Sequence, residues 1–376
     1  MRNPSETRQV PAEQPDPVTA AVDVAGIAAA LAARRDSDGS VPDIEIAALA
    51  DTGLLHAPLP LAWGGKALGA GPAGGEMLRS VLRIIGGGSL ALGRLNEGHV
   101  NAVCLAMRYG NAGHLRLLNA EAVAGRLSAV WNAQTGDGLH LDGDTLIGGK
   151  IYTSGLGIVR RPVSAPMRRG DVVMVIPDVA TARGDLSAWT PLGMRASLTG
   201  AADFTGITIA PADIIGGAGD YYRAPLFAGG AWRVLAVQLG ALEQLLALYR
   251  TQMKTRGRDA DPIQRARFGD AAAPLETRRL WTARAAAIVA DAAQDPGAVD
   301  ALVNFARHEF ERAALAIIER VERGIGLSAM LRPDPVERIV RDLTTYLRQP
   351  FPDVALDAAA GWALAERPAH LDIGAA

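Results

Sequence analysis

Tyr152, Thr153 and Ser154 stand in a row in the stretch GGKIYTSGLG, directly after residues that read as a strand. An aromatic ring beside small hydroxyls suits a flat redox-active ring, because the aromatic packs on its face while a hydroxyl reaches its nitrogens or oxygens. The same stretch also fits an ordinary strand end whose tyrosine faces the core. Other chemistries find less footing. The histidines, at positions 56, 99, 114, 140, 308 and 370, include no pair at the spacing of a helical zinc site, and there is no cysteine cluster. Metal chemistry is therefore not expected. IIGGGSLALG is glycine-rich but matches neither the dinucleotide fingerprint nor the phosphate-binding loop, and it reads as a turn between helices. No G-x-S-x-G elbow supports serine hydrolysis.

The elements that must position this stretch fall into three regimes along 376 residues, a length that exceeds one ordinary core. Residues 1–17, rich in proline and without an apolar segment, read as a flexible tail rather than a signal peptide. Residues 18–125 carry helical periodicity broken by glycine-rich turns such as WGGKALGAGPAGG. Residues 126–218 read as strands. LHLDGDTLIGGK places an Asp-Gly turn between short apolar segments, a hairpin signal, and DVVMVIPD and ADFTGITIAP are short, β-branched and bounded by turn residues. Residues 219–376 return to longer helices. In WRVLAVQLGALEQLLALY, Leu235, Leu239, Leu242, Leu246 and Tyr249 recur at helical spacing and the other side is also apolar, so burial on most sides is expected. In RHEFERAALAIIERVERG, Phe310, Ala314, Ile317 and Val321 form one stripe, Glu319 and Arg323 face water, and Gly324 ends the helix.

A net charge of −2 gives no reason to expect a nucleic-acid or anionic-membrane partner. No uninterrupted apolar run reaches the ~20 residues of a membrane span. The single cysteine, Cys104, reads as a buried structural thiol and fits a cytoplasmic protein.

Several stretches together resemble the acyl-CoA dehydrogenase superfamily, from about residue 20 to 360. LADTGLLHAPLPLAWGG is similar to that family's opening helix and turn, and GGKIYTSG to its flavin strand. PLGMRASLTGAADFTGITIAPADIIG resembles its barrel-closing strand, and RGIGLSAMLRPDPVERIVRDL its glycine turn and Glu-Arg-x-x-Arg-Asp helix. The resemblance implies an α+β, mainly helical fold with an N-terminal helical domain, a central β-barrel and a C-terminal four-helix bundle. It also implies FAD (or FMN) between barrel and bundle, and a homodimer or homotetramer in which a neighbouring subunit binds the flavin's far end. Carried over by position, Trp131 and Asn132 of AVWNAQ line the flavin's pyrimidine side, and Tyr152, Thr153 and Ser154 lie at its face. Arg256 matches the arginine on the pyrophosphate, where a guanidinium supplies charge-assisted bonds. Gly324 and Gly326 match the glycine turn near the adenine, with Ile325 in place of the usual second glycine.

A dehydrogenase of this family removes a proton with a positioned glutamate. Neither family position holds one: the loop after the Arg-Asp helix reads YLRQPFPD, and the start of the first bundle helix reads FAGGAWRVL. Asp353 lies beyond the expected slot. Another branch of the superfamily has also lost this glutamate. Its two-component monooxygenases take reduced flavin from a partner reductase and use dioxygen on a small organic substrate. His99 in LNEGHVNA stands on the helix where that branch often carries a catalytic histidine. Tyr346 stands near the position of that branch's second histidine, and Asn132 is suited to hydrogen-bond oxygen. The expected activity is thus a flavin-dependent monooxygenase, with His99, Asn132 and Tyr346 as candidate catalytic residues. The alternatives are an acyl-CoA dehydrogenase with a displaced base, served by an electron-transfer partner, and a flavoprotein scaffold without catalysis.

Overall fold

A computed structural model describes residues 15–134, 136–348 and 350–365, so nearly all of the expected tail, and Gln349 of the YLRQPFPD segment, lie outside it. Five helices come first: α1 (Pro17–Asp38), α2 (Asp43–Asp51), α3 (Gly71–Gly88), α4 (Leu90–Tyr109) and α5 (Ala112–Val123). Ten short strands follow: β1 (Ser128–Trp131), β2 (Leu139–Asp142), β3 (Thr145–Lys150), β4 (Arg161–Ser164), β5 (Met167–Arg168), β6 (Asp171–Val172), β7 (Met174–Val175), β8 (Arg183–Asp185), β9 (Ala201–Asp203) and β10 (Ile214–Ile215). The last part is helical: α6 (Leu226–Gly229), α7 (Trp232–Thr255), α8 (Pro262–Ala290), α9 (Pro296–Ile325), α10 (Pro335–Tyr346) and α11 (Pro352–Leu364).

The Asp-Gly signal is a hairpin, with β2 antiparallel to β3, Asp142 opposite Thr145, and Gly143 at φ 60°. The strands do not close one barrel among the described residues. They pair as two open sheets, one ordered β1-β4-β7-β10 and one ordered β6-β5-β2-β3-β9-β8. The reason is local: DVVMVIPD breaks at Val173, so β6 joins one sheet and β7 the other.

α7 is the centre of the helical part. Leu235, Leu239, Leu242, Leu246 and Tyr249 are all buried, as are Ala236, Val237 and Ala241 on its other side. That side lies directly on α3. A Cβ on Gly86 would sit 2.1 Å from the Val237 carbonyl oxygen, and one on Gly240 1.7 Å from that of Arg83. The IIGGGSLALG run does connect two helices, at Ser89, but most of it is helical. Gly86, Gly87 and Gly88 form the last turn of α3 and let two helix backbones touch. The α9 stripe of Phe310, Ala314, Ile317 and Val321 is fully buried, but the helix runs on to Ile325. Gly326, at φ 81° and ψ −156°, ends it.

Two segments do reach the length and hydropathy of a membrane span: Pro17–Asp38, at a mean hydropathy of 1.4, and Leu226–Thr255, at 1.2. Counting only uninterrupted apolar runs misses them. Most of the second window, 72%, is buried inside the fold, as in a core helix.

Candidate active site

The Tyr152–Ser154 stretch leaves β3 in a strained conformation. Tyr152 has φ 52°, and facing it Met194 and Leu198 have φ 60° and 47°. Such values cost a non-glycine residue about 1–3 kcal/mol and persist only when the surroundings enforce them. Here they do. The Thr153, Gly155 and Leu156 amides donate to the carbonyls of Gly200, Ser197 and Leu198. Behind that loop stands α10. The Met194 amide donates to the Asp342 carboxylate (2.5 Å) and the Gly193 amide to Thr345 Oγ1 (2.9 Å). Arg341 bonds both oxygens of Asp36 (3.0 and 2.7 Å), the Leu192 carbonyl and Glu337. The Arg-Asp pair is therefore a clamp between α1, α10 and the 192–199 loop.

The clamp presents a chain of hydroxyls. Ser197 Oγ lies 2.7 Å from Thr199 Oγ1, which donates to Ser154 Oγ at 3.0 Å. Ser197 Oγ also donates to the Met194 carbonyl (2.8 Å), so the chain of hydroxyls is anchored at the loop backbone and ends at Ser154. Beside it Trp131 is buried, with its indole N–H on the Ser154 carbonyl (2.9 Å). Thr153 is turned inward, its hydroxyl on the Gly200 carbonyl. Tyr152 is not a core tyrosine. It is 63% exposed and edge-on to Trp189, so one aromatic face is uncovered. A hydroxyl close to an uncovered ring fits a flat heterocycle. Lys150 fastens the neighbouring loop from below, donating to the Asn132 and Ala165 carbonyls and to Gln134. Burial pulls its amine down to about 8.

Asn132 reaches across to the helices: its amide donates to the Tyr222 hydroxyl (3.2 Å). Tyr222, Tyr221 and Phe227 form an aromatic knot with ring centres 4.9–5.3 Å apart. Beyond it lies a polar cluster on one face of α4 that sequence reasoning missed. Arg94 pairs with the buried carboxylate of Glu97 at 2.5 Å, Asn101 donates to the other oxygen of Glu97, and Arg233 of α7 donates to Asn101 Oδ1 at 3.1 Å. The signal was available, since Arg94, Glu97 and Asn101 recur at one-face spacing on an otherwise apolar helix. The charges of Glu97 and Arg94 also act on Tyr346, at the end of α10. Burial drives its phenol well above the ordinary range, Glu97 adds to this and Arg94 opposes it.

His99 lies on the opposite face of α4, fully buried. The Ser128 amide donates to its Nδ1 (3.0 Å), which leaves Nε2–H to donate to the Leu55 carbonyl (2.7 Å). Burial holds the imidazole down to about 4. Both nitrogens are committed to backbone, so His99 ties α4 to β1 and the Leu55 turn.

Arg256, Gly324 and Gly326 come together elsewhere. Arg256 donates to the Ile325 carbonyl (2.9 Å) and Ser328 Oγ (2.8 Å). A Cβ on Gly324 would lie 2.1 Å from the Tyr249 hydroxyl, which explains that glycine by packing alone. This cluster caps the far end of α7, whose 24 residues put it roughly 36 Å from Trp232 at ~1.5 Å per residue. Asp353 is exposed in the first turn of α11.

Solved structures superpose on nearly all of this arrangement. FMN-bound TdsC from Paenibacillus sp. A11-2 matches with a TM-score of 0.82 at 17% identity, covering 93% of this chain and 98% of that one. Butyryl-CoA dehydrogenase from Megasphaera elsdenii matches at 0.80 and 17% identity, covering 92% and 96%. This chain has the acyl-CoA dehydrogenase fold. Methanesulfinate monooxygenase MsuC from Pseudomonas fluorescens shares it too, at a TM-score of 0.80 and 21% identity over 93% of this chain and 96% of that one. No family model matches the sequence. No curated protein matches it either.

Proposed function

We propose that the chain is a flavin-dependent monooxygenase acting on a small organic substrate. The observation that carries the reading is Tyr346. At the end of the Arg-Asp helix, next to the slot where a dehydrogenase of this fold carries its glutamate, the chain has a buried phenol, a hydrogen-bond donor and not a base. Such a group stays protonated at working pH. It holds a hydrogen bond toward oxygen and does not strip a proton from carbon. Dioxygen-using relatives by fold agree with this: TdsC is a dibenzothiophene monooxygenase and MsuC a methanesulfinate monooxygenase.

The residues divide the work. Tyr152 offers its uncovered face to the flavin ring, Ser154 a hydroxyl, and Trp131 and Lys150 fix the loop that carries Asn132. A bound reduced flavin would supply the electron pair that lets one oxygen atom enter the substrate while the other leaves as water. Tyr346 and Asn132 are the polar groups we assign to that oxygen. Arg256 and the Gly324–Gly326 turn stand too far along α7 to serve the same flavin, so we assign them to the cofactor of a second copy in a homodimer or homotetramer. An arginine there suits the pyrophosphate that FAD has and FMN lacks. A separate reductase would supply the reduced flavin.

The test supplies reduced flavin from an added reductase, isotopically labelled dioxygen, and thioethers, indoles and small anions as substrates. One labelled oxygen in a product is the expected result. Peroxide release alone with every substrate overturns the reading. Glu97 favours a second one, since it is a buried carboxylate on α4 that acts on Tyr346. Acyl-CoA oxidation with an artificial electron acceptor, abolished in Glu97→Gln, would establish a dehydrogenase with a displaced base.

A further inference from the structure

Arg233 is 6% exposed, yet no ion pair joins it among the described residues. Its guanidinium donates once to Asn101 Oδ1 (3.1 Å) and meets Cys104 Sγ at 3.8 Å, a weak acceptor. Its Nε is buried and has no hydrogen-bond partner. The carbon of the guanidinium lies 5.5 Å from the centre of the Trp232 ring, which steadies the plane but accepts no in-plane proton. A buried guanidinium is held at a cost unless an anion meets it, and Arg35 and Arg341 of this protein meet that cost with carboxylates.

The neighbours do not supply the charge. Glu97 already receives Arg94 on one oxygen and Asn101 on the other. Asn101 is oriented by those contacts: its amide nitrogen faces Glu97, so its oxygen faces Arg233. Arg94, Glu97 and Arg233 together carry one excess positive charge. Arg233 sits in the first turn of α7, at the positive end of its dipole, and that turn contains no acidic residue. Gly230 leaves the guanidinium its place, since a Cβ there would stand 3.2 Å from Arg233 Nη1.

We infer that Arg233 is the recognition residue for an anionic substrate, taking a carboxylate or sulfonate oxygen on the edge formed by Nε and Nη2. The planar fork matches such a group with paired hydrogen bonds. This deepens the monooxygenase reading and rests on it for the word substrate. It narrows the class to small organic acids whose charged end is held at α7 while the rest of the molecule extends toward Tyr346 and Asn132.

Two matched pairs of probes test it on the full chain: benzoate against benzamide, and methanesulfonate against dimethyl sulfone. Trp232 fluorescence and calorimetry read binding, and FMN binding is followed separately. The expected result is at least ten-fold tighter binding of the anion in one pair or both. Arg233→Met should reduce the anion to the level of its neutral partner, Arg233→Lys should keep part of the preference, and FMN affinity should not change. Equal binding within both pairs, with FMN bound normally, overturns the anion site and leaves the flavin reading standing. Selective anion binding without any flavin affinity does the reverse. If inorganic phosphate competes with FMN and Arg233→Met loses FMN, the arginine serves the cofactor and the inference is wrong. Should Arg233→Met not fold, the charge preference of the unaltered protein decides.

Discussion

Two buried arginines are treated oppositely by their surroundings. Arg341, on α10, meets two carboxylates and a backbone carbonyl, and it joins α1, α10 and the loop behind the candidate flavin face. Arg233, on α7, meets one amide oxygen and a thiol. The first is built into the frame. The second keeps its Nε without a hydrogen-bond partner among the described residues. A buried charged group whose bonds are complete is held by the architecture, and one whose bonds are incomplete keeps donors free for another group. His99 falls on the side of Arg341, since both of its nitrogens are bonded to backbone.

The widest separation should come from the arginines themselves. Arg341→Met strands Asp36 and Glu337 inside the fold, and urea unfolding should register a loss of about 3–5 kcal/mol. A loss under about 1 kcal/mol would mean that water already shares the clamp.

The next effect belongs to His99 and depends on pH. Its folded value is lowered, to about 4 against an ordinary 6.5. Between those values the unfolded chain binds the proton and the folded chain does not, so stability falls as pH drops from 6.5 to 4. The loss amounts to about 3 kcal/mol for that shift. His99→Gln should flatten this part of the profile. An unchanged slope would assign it to other groups.

Arg233→Met should change stability by no more than about 1 kcal/mol, because an unpaired buried cation contributes little to the fold. A loss as large as that of Arg341→Met would erase the contrast. Smallest of all is the exposed pair of Glu319 and Arg323, 3.0 Å apart on α9. Glu319→Gln should cost under about 0.5 kcal/mol, and less in high salt. It serves as the baseline for a charge that is neither clamp nor receptor.

Some of this was legible in the residues. Period and turn chemistry are local, so the 143–144 hairpin and the buried stripes of α7 and α9 stood in the sequence. The Tyr152–Ser154 stretch was visible as an aromatic beside hydroxyls, although a core tyrosine fitted equally well. The glycines of IIGGGSLALG misled in part, because a glycine run in a turn and one under a crossing helix look alike until the partner backbone is placed. His99 misled for a related reason: a histidine on a helix has the same letter whether it faces a cleft or a strand.

By itself, then, the sequence determined the order of helices, strands and helices, the lack of a glutamate in YLRQPFPD and FAGGAWRVL, and the apolar faces that had to be buried. Those follow from spacing and composition within a few turns of chain. Tertiary structure alone decided that Glu97 and Tyr346 share one electrostatic neighbourhood, that Arg341 is paired and Arg233 is not, and that Arg256 meets the Ile325 carbonyl and Ser328. Each of these depends on which groups meet across long stretches of chain, and the Coulomb and hydrogen-bond energies that set a residue's role fall off within a few ångströms of contact.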